Sequence, residues 1–287
     1  MKSPWIIDMH HCGVLAILAA ALLMQSPTMA NCADDWLSIR EVQTGDGVEL
    51  YATNNQNYPI TYALMIDQDK RTGPATQTIS KTLPGQQSQR VMVLPRQEDS
   101  VDISCTWTIG SRDATHDDDH VYRLPYAEGE SFRVLQGFES DWSHRGDEQF
   151  AIDFKMPVGT PVHAARSGIV ARKEERWDQG CWDQTCDRFA NFIVVLHDDG
   201  TTGEYYHLLR DGALVEVGQR VATGQRIGLS GDTGRSAEPH LHFAVYHATR
   251  SGNSQSIPIS FLTAGGIVYE PRNGHYYSAV SRQDTGD

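Results

Sequence analysis

Short runs in which apolar and polar residues alternate fill residues 35–123, and they predict β-strands. Five of them are LSIREVQ, VELYATN, ITYALMID, QRVMVLP and SVDISCTWTIG. Turn residues separate the runs at intervals of roughly ten residues, which is the spacing of a small β-sandwich. No segment in this range has the helical period. We therefore expect an all-β chain that begins with an Ig-like β-sandwich over residues 31–123.

A different strand pattern begins near residue 124, with glycine at nearly every turn. Its clearest runs are NFIVVLHDDG, GEYYHLL and VEVGQRVATGQRIGLSG. Short branched-residue strands bounded by glycine are typical of a compact β-fold, and helix signals are again almost missing. We predict a second, antiparallel β-domain over residues 124–265. A C-terminal hairpin and polar tail are predicted over residues 266–287.

The first 30 residues have the pattern of a secretory signal peptide. Lys2 precedes the 12-residue apolar run GVLAILAAALLM, and the small residues of PTMA place the cleavage site after Ala30. An uncleaved anchor is the alternative, although the run is short for a bilayer. No later run reaches 18 apolar residues, so we expect no membrane span in the mature chain. The expected location is the periplasm or the medium.

The net charge limits the classes of binding partner, and the cysteine content indicates the redox environment of the protein. The net charge of −13 argues against nucleic acid or an anionic membrane as partner. Four cysteines follow the signal, an even number that indicates disulfides in an exported protein. We predict Cys181–Cys186 within CWDQTC and Cys32–Cys105 across the N-terminal region. The alternative, one structural zinc held by all four thiolates, is poorly served by their spacing.

The run PHLHFAVYH combines strand-forming residues with two closely spaced histidines. In a strand, His240 and His242 stand on one face, while Leu241 and Phe243 face a core. Two adjacent imidazoles suit metal binding or proton transfer. A pair of ordinary surface histidines is the other interpretation, and the run alone does not decide between them.

Two acidic segments raise the same question of a bound cation. Asp153 lies in FAIDF, among apolar neighbours, where a carboxylate is costly unless it is paired or bound to metal. The HDDDH segment, residues 116–120, has suitable ligand types. We interpret it as a solvated linker turn, with a cation site or a lid over the second domain as alternatives.

Several separated motifs of the second domain resemble one known family. They are SHRGDEQFAIDFKMPVGTPVHAARSGIV, YYHLL, GQRVATGQRIGLSGDTG and PHLHF, in that order. Together they resemble the lysostaphin-type (LytM-like) zinc endopeptidases, which cut peptidoglycan peptides, over roughly residues 140–250. The resemblance implies one zinc ion per chain and two catalytic histidines. The implied ligands are His144, Asp153 and His242, and the implied catalytic residues are His207 and His240.

One departure from the family concerns His144. Many members space the first histidine and the aspartate by four residues, and the interval from His144 to Asp153 is nine. A branch of the family has an insertion here, so we retain His144. Its loop, DWSHRGDEQ, is otherwise typical of a solvated turn, and Asp147 is the alternative ligand.

Other residues are placed by strand alternation and by the disulfide loop. Tyr205 shares a face with His207 in a regular strand, so we predict that Tyr205 lines the cleft and that Tyr206 does not. Trp182, inside CWDQTC, is predicted to contact substrate, with a packing role as the alternative. We place three further histidines outside the site: His163, His197 and His247.

The expected function is that of an exported zinc endopeptidase, monomeric, acting on peptidoglycan peptides. A catalytically silent regulator or scaffold of other wall hydrolases is the main alternative. Such regulators lose metal ligands, whereas all five site positions are filled here. A metal-free wall-binding module is a third possibility, for which residues 31–125 offer only scattered aromatic residues. A further hypothesis is that the N-terminal domain, or residues 116–120, covers the cleft.

Overall fold

The computed structural model describes residues 35–67, 76–95, 102–140 and 142–280. In these ranges the regular elements are β-strands and two short 3-10 helices, Gly146–Glu148 and Gln184–Phe189. The prediction of an all-β chain is therefore confirmed. The predicted signal peptide, residues 1–30, lies outside the described residues. Where the structure is described, none of its helices has the length and apolar character to cross a membrane.

The N-terminal part consists of two antiparallel three-stranded sheets, with strand orders β1-β2-β5 and β4-β3-β6. Alternate side chains of both sheets point inward and form one apolar core, in which Leu50, Tyr62 and Leu64 are fully buried. This is the two-sheet packing that the alternating pattern predicts, and the Ig-like assignment stays a prediction. The strands are β1 (Leu37–Gln43), β2 (Gly47–Asn54), β3 (Ile60–Asp67), β4 (Thr76–Leu83), β5 (Ser88–Pro95) and β6 (Asp102–Ile109).

A large sheet dominates the second part, with strand order β16-β11-β13-β14-β19-β9-β8-β23 and with β20 added beside β19. Smaller sheets, β10-β17-β15, β12-β18 and β22-β21-β7, accompany it. The strands are β7 (Val121–Arg123), β8 (Ser131–Gln136), β9 (Ile152–Phe154), β10 (Pro161–His163), β11 (Gly168–Glu174), β12 (Gly180–Cys181), β13 (Phe192–Leu196), β14 (Thr202–Tyr206), β15 (Leu208–Ala213), β16 (Arg220–Val221), β17 (Arg226–Ser230), β18 (Gly234–Arg235), β19 (Leu241–Ala248), β20 (Ser254–Ser256), β21 (Ser260–Thr263), β22 (Gly266–Val268) and β23 (Tyr276–Ser278).

The two faces of the large sheet have different roles. Leu241, Phe243 and Val245 of β19 point into the main apolar core. His242 points the other way, and its register partners are Tyr206 on β14 and Asp153 on β9. Because paired residues share a face, the sheet itself brings a histidine and a carboxylate from distant parts of the chain together.

Strand pairing crosses residues 123 and 265, and the domain boundaries that we placed there stay a prediction. β7 pairs in parallel with β21. β22 pairs back onto β21, and β23 pairs with β8 at the edge of the large sheet. The C-terminal strands are therefore part of the second domain's sheets, and they do not form a hairpin of their own.

The N-terminal sandwich packs on the sheet face that carries His242, over strands β11 and β13. Trp36 and Trp107 stack at 5.0 Å, and the Arg172 guanidinium lies 5.9 and 6.0 Å from their ring centroids. Arg172 also lies 5.0 Å from the ring of Phe192. The Thr106 hydroxyl donates to the Ser251 carbonyl oxygen. The aromatic and cation–π contacts fix the sandwich beside the site.

His197, at a turn after β13, gives the fold a specific sensitivity to acid. The side chain is buried, Nδ1 lies 2.9 Å from the Thr201 hydroxyl, and Nε2 has no hydrogen-bond partner. Burial, with the Arg166 charge second, lowers its pKa from the ordinary 6.5 to about 3. Below pH 6.5, His197 therefore becomes protonated in the unfolded chain but stays neutral in the folded chain. The free energy of unfolding then decreases as the pH falls toward 3.

We expect this histidine to destabilise the fold by about 1.6 kcal/mol between pH 6.5 and pH 5, since the slope rises to about 1.4 kcal/mol per pH unit only below the unfolded pKa. His197→Asn should flatten the pH dependence, because asparagine can replace Nδ1 toward Thr201 and does not titrate. The measurement is urea unfolding at several pH values. The matched control is His275→Asn, at an exposed position, which should keep the parent slope. Equal slopes in the His197 variant and the parent chain would refute this assignment.

Candidate active site

Asp153 is the centre of a buried cluster of nitrogen and oxygen atoms. Its Oδ1 lies 3.2 Å from Nε2 of His144 and 2.9 Å from Nδ1 of His242, and Oδ2 accepts a 2.6 Å hydrogen bond from Gln136. Burial by itself would raise the pKa of Asp153. The neighbouring imidazoles of His240, His144 and His242 outweigh burial and hold that pKa well below its usual range. The carboxylate is therefore ionised.

His144 is fully buried, so it does not belong to a solvated turn. Its Nδ1 donates to the Gly137 carbonyl oxygen at 3.0 Å, which leaves Nε2 unprotonated. Nε2 is buried next to Asp153 and has no hydrogen-bond partner. A buried nitrogen lone pair without a donor is costly, and a metal ion would satisfy it.

Three ligand atoms from His144, Asp153 and His242 lie within 4.8 Å of one another. Two imidazole nitrogens and one carboxylate oxygen form a donor set that suits zinc and leaves a fourth position open. Across the described ranges, no other group of histidine, cysteine and carboxylate side chains is arranged in this way. Asp147, the alternative ligand, is exposed and lies outside the group.

His207 and His240 stand next to this cluster with matching hydrogen bonds. Nδ1 of His207 donates to the Thr233 carbonyl oxygen, and Nδ1 of His240 donates to that of Glu238, both at 2.7 Å. The two rings lie 4.5 Å apart, and both line the same cleft. In the neutral form, each ring therefore carries its proton on Nδ1 and presents Nε2 as an acceptor. Burial, with the neighbouring imidazoles of His240 and His242, lowers the pKa of His207 to about 3.

The prediction that Tyr205 lines the cleft is wrong. Tyr205 is fully buried in the core, and its hydroxyl accepts a 2.8 Å hydrogen bond from the Ala165 amide. His207, directly after β14, has a φ of 64° and leaves the strand, so alternation cannot be extended from His207 to Tyr205. Tyr206 is the tyrosine on the site face, and its ring lies 6.0 Å from that of His242.

The cleft has a volume of about 630 Å³ and is walled on one side by exposed aromatic residues. The rings of Trp142 and Trp182 meet at 5.5 Å, and the Arg235 guanidinium lies 5.7 Å from the Trp182 ring. All lining residues fall between Arg133 and Asn273. The described parts of the sandwich and residues 116–120 therefore do not contribute to the walls of this cleft.

One of the two predicted disulfides lies among the described residues. Cys181 and Cys186 are bonded, and this closes the loop that carries Trp182. Cys32 lies outside the described residues, so the Cys32–Cys105 pairing stays a prediction.

Sequence reasoning missed a polar group on the far side of His242. Nε2 of His242 lies 3.4 Å from a carboxylate oxygen of Glu148 and 3.4 Å from the Tyr246 hydroxyl. The Tyr246 hydroxyl donates to Glu148, and that of Tyr206 donates to Glu204 at 3.0 Å. Part of this group was detectable from the sequence, because Tyr246 follows His242 at even spacing on one strand.

Comparison with known proteins gives one family. Residues 147–256 match Peptidase family M23. The range contains Asp153, His207, His240 and His242, and it begins shortly after His144.

Two relatives and one solved structure show how far the similarity extends. The peptidoglycan DD-endopeptidase ShyA of Vibrio cholerae is 33% identical over 143 residues, which are 48% of this chain and 30% of the relative. The glycyl-glycine endopeptidase ALE-1 of Staphylococcus capitis is 38% identical over 122 residues, which are 42% of this chain and 31% of the relative. The chain thus spans under a third of the length of these relatives. The structure of the antimicrobial peptidase lysostaphin from Staphylococcus simulans is 30% identical, covers 44% of this chain and 47% of that one, and has a TM-score of 0.33.

Proposed function

We propose that this chain, which contains an M23 peptidase domain, is a zinc-dependent endopeptidase that hydrolyses peptide cross-links of bacterial peptidoglycan. The observation that carries the proposal is the arrangement around Asp153. One buried imidazole, His144, and one partly buried imidazole, His242, direct nitrogen atoms at one carboxylate oxygen. Two further histidines stand beside them with Nδ1 donating to backbone carbonyls, which leaves Nε2 as the acceptor. We assign His144, Asp153 and His242 to the metal, and His207 and His240 to proton transfer.

The substrate class follows from the relatives and from the shape of the site. ShyA is named as a peptidoglycan DD-endopeptidase and ALE-1 as a glycyl-glycine endopeptidase. A cleft with exposed tryptophans on one wall suits an extended, largely uncharged chain. We assign Trp182 to substrate binding on that wall.

Each group has a definite task in the proposed reaction. Zinc supplies Lewis-acid activation of water and of the scissile carbonyl. His207 and His240 hold their Nδ1 protons on backbone carbonyls, so each presents Nε2 as a proton acceptor. One takes the proton of the attacking water, and the imidazolium so formed gives a proton to the leaving amine. The second histidine, whose Nε2 is also an acceptor, receives a hydrogen bond from the attacking water and so orients it.

Location follows from the substrate. Peptidoglycan lies outside the cytoplasm, so we propose that residues 1–30 direct export and that the enzyme acts in the periplasm or the medium. We further propose that the mature chain works as a monomer, because the site atoms all come from one chain.

The test of this function combines metal content with product analysis. The chain without residues 1–30 is purified, its zinc is measured by mass spectrometry, and it is incubated with DD-cross-linked and with glycine-bridged peptidoglycan. We expect about one zinc per chain, as for a single three-ligand site. We also expect new amino termini from one substrate, and loss of activity on chelation with recovery on adding zinc. Bound zinc without cleavage of either substrate would favour the regulator, and a chain that binds no zinc would refute the ligand assignment.

A further inference from the structure

The second ring nitrogen of His242 lies against a hydrogen-bonded carboxylate that the proposed reaction does not use. Glu148 places Oε2 3.4 Å from Nε2 of His242. The Tyr246 hydroxyl donates to the same Oε2 and lies 3.4 Å from Nε2. Glu148 is partly exposed, with 44% of its side-chain surface accessible, while Tyr246 is buried. Two oxygen atoms thus face the nitrogen that points away from Asp153.

The two nitrogens of this ring have different tasks. Nδ1 faces Asp153 and the Nε2 of His144, so Nδ1 is the atom that a metal shared by these residues would use. A metal ligand nitrogen must carry no proton, so the single proton of the neutral ring must be on Nε2. Nothing in the ring itself enforces that tautomer. A carboxylate oxygen 3.4 Å from Nε2 favours it, because its negative charge attracts the Nε2 proton.

We propose that Glu148 is a positioning residue that holds the proton of His242 on Nε2 and so presents Nδ1 to zinc. The proposal rests on the metal site assigned above. Tyr246 fixes the Glu148 carboxylate by donating to it. His144 has the corresponding support from a main-chain atom, since its Nδ1 donates to the Gly137 carbonyl oxygen. Each imidazole ligand thus has its own acceptor on the side away from Asp153.

If Glu148 supports His242 in this way, it explains the long interval between His144 and Asp153. The residues between them form the 3-10 turn Gly146–Glu148, and Glu148 ends that turn. The turn is anchored on both sides, since the Glu139 amide donates to the Gln149 carbonyl and the Phe150 amide donates to the Ser256 hydroxyl. The nine-residue spacing therefore delivers an acceptor to the ligand His242, which lies on a different strand.

The experiment measures zinc affinity directly, by competition with a fluorescent chelator, in the chain without residues 1–30. We expect Glu148→Ala to weaken zinc binding by about 10- to 100-fold. Glu148→Gln should recover part of the loss, because its amide oxygen still accepts from Nε2. The matched control is Asp147→Asn, the adjacent exposed carboxylate, which should bind zinc like the parent chain. A Glu148→Ala chain whose affinity stays within about twofold of the parent overturns the proposal.

A second measurement separates positioning from general damage to the fold. With ¹⁵N-labelled histidine, the zinc-loaded parent should show His242 protonated at Nε2, and in Glu148→Ala the signal of that proton should shift or be lost. Melting of the metal-free variants reports folding alone. The proposal would also be overturned by two results together. These are that metal-free Glu148→Ala is unfolded to the same extent as it loses zinc affinity, and that Glu148→Gln does not restore zinc binding. If the parent chain binds no zinc, the proposed metal site itself fails, and this result is distinct from a failure of Glu148.

Discussion

Replacing Asp153 with asparagine is expected to remove zinc binding and hydrolysis together. The carboxylate is buried, and its Oδ1 lies within 3.2 Å of nitrogens from both His144 and His242. Asparagine keeps the shape of the side chain but carries no charge. The zinc dication would therefore meet a neutral amide oxygen in place of an anionic carboxylate oxygen. The loss of zinc affinity should exceed the roughly 10- to 100-fold that changes beyond the direct ligands cost.

Asp147→Asn is the matched control for this prediction. Asp147 was the alternative ligand in the same loop as His144, and the structure leaves it exposed. Zinc titration and peptidoglycan release should show a full loss for the Asp153 variant and parent values for the Asp147 variant. The reverse pattern would move the metal site to the loop. Against the effect of burial, Asp153 and Glu148 raise the pKa of His242 to about 10. The metal-free Asp153 variant should therefore also melt at a lower temperature, because the protonated ring loses one of its two anionic partners.

Much of the fold followed from the spacing of apolar residues. Strands of the sandwich, such as Ile60–Asp67, alternate cleanly enough to be recognised singly. Pairing was harder to predict, because it joins segments far apart in the chain. β23 lies beside β8, and β7 lies beside β21. No local sequence pattern indicates such pairing partners. The predicted C-terminal hairpin and tail were therefore separated from the large sheet, to which β23 belongs.

The site shows the same division between local pattern and tertiary contact. His242 and Asp153 were recognisable from motif order and from the cost of a carboxylate among apolar neighbours. Tyr205 was misplaced because one residue, His207, takes a φ of 64° and ends the alternation. Glu148 was missed because its contact with Tyr246 spans 98 positions of the chain. Backbone exceptions and distant contacts of this kind arise from packing, which a single sequence does not display.

Replacing His207 or His240 with asparagine is expected to slow hydrolysis by about 10²- to 10⁴-fold while zinc stays bound. Neither residue belongs to the group of three ligand atoms. Asparagine is chosen because its amide can still donate to the carbonyl oxygens of Thr233 and Glu238, where the two Nδ1 atoms donate now. It also tolerates the left-handed backbone at His207 better than most residues do. What it lacks is an Nε2 atom that can carry a proton.

The double variant decides whether the two histidines serve one step. Their rings lie 4.5 Å apart beside the same carboxylate, so a proton taken up by one raises the cost of protonating the other. We therefore expect the rate of the double variant to lie close to that of the slower single variant. When two groups act as a unit, removing the first already removes most of their joint contribution to the rate. Single-turnover rates with zinc content checked in each sample give the measurement, and His275→Asn serves as the exposed control. Losses that multiply across the two variants would show that His207 and His240 act independently, and a loss of zinc in either single variant would make that residue a ligand instead.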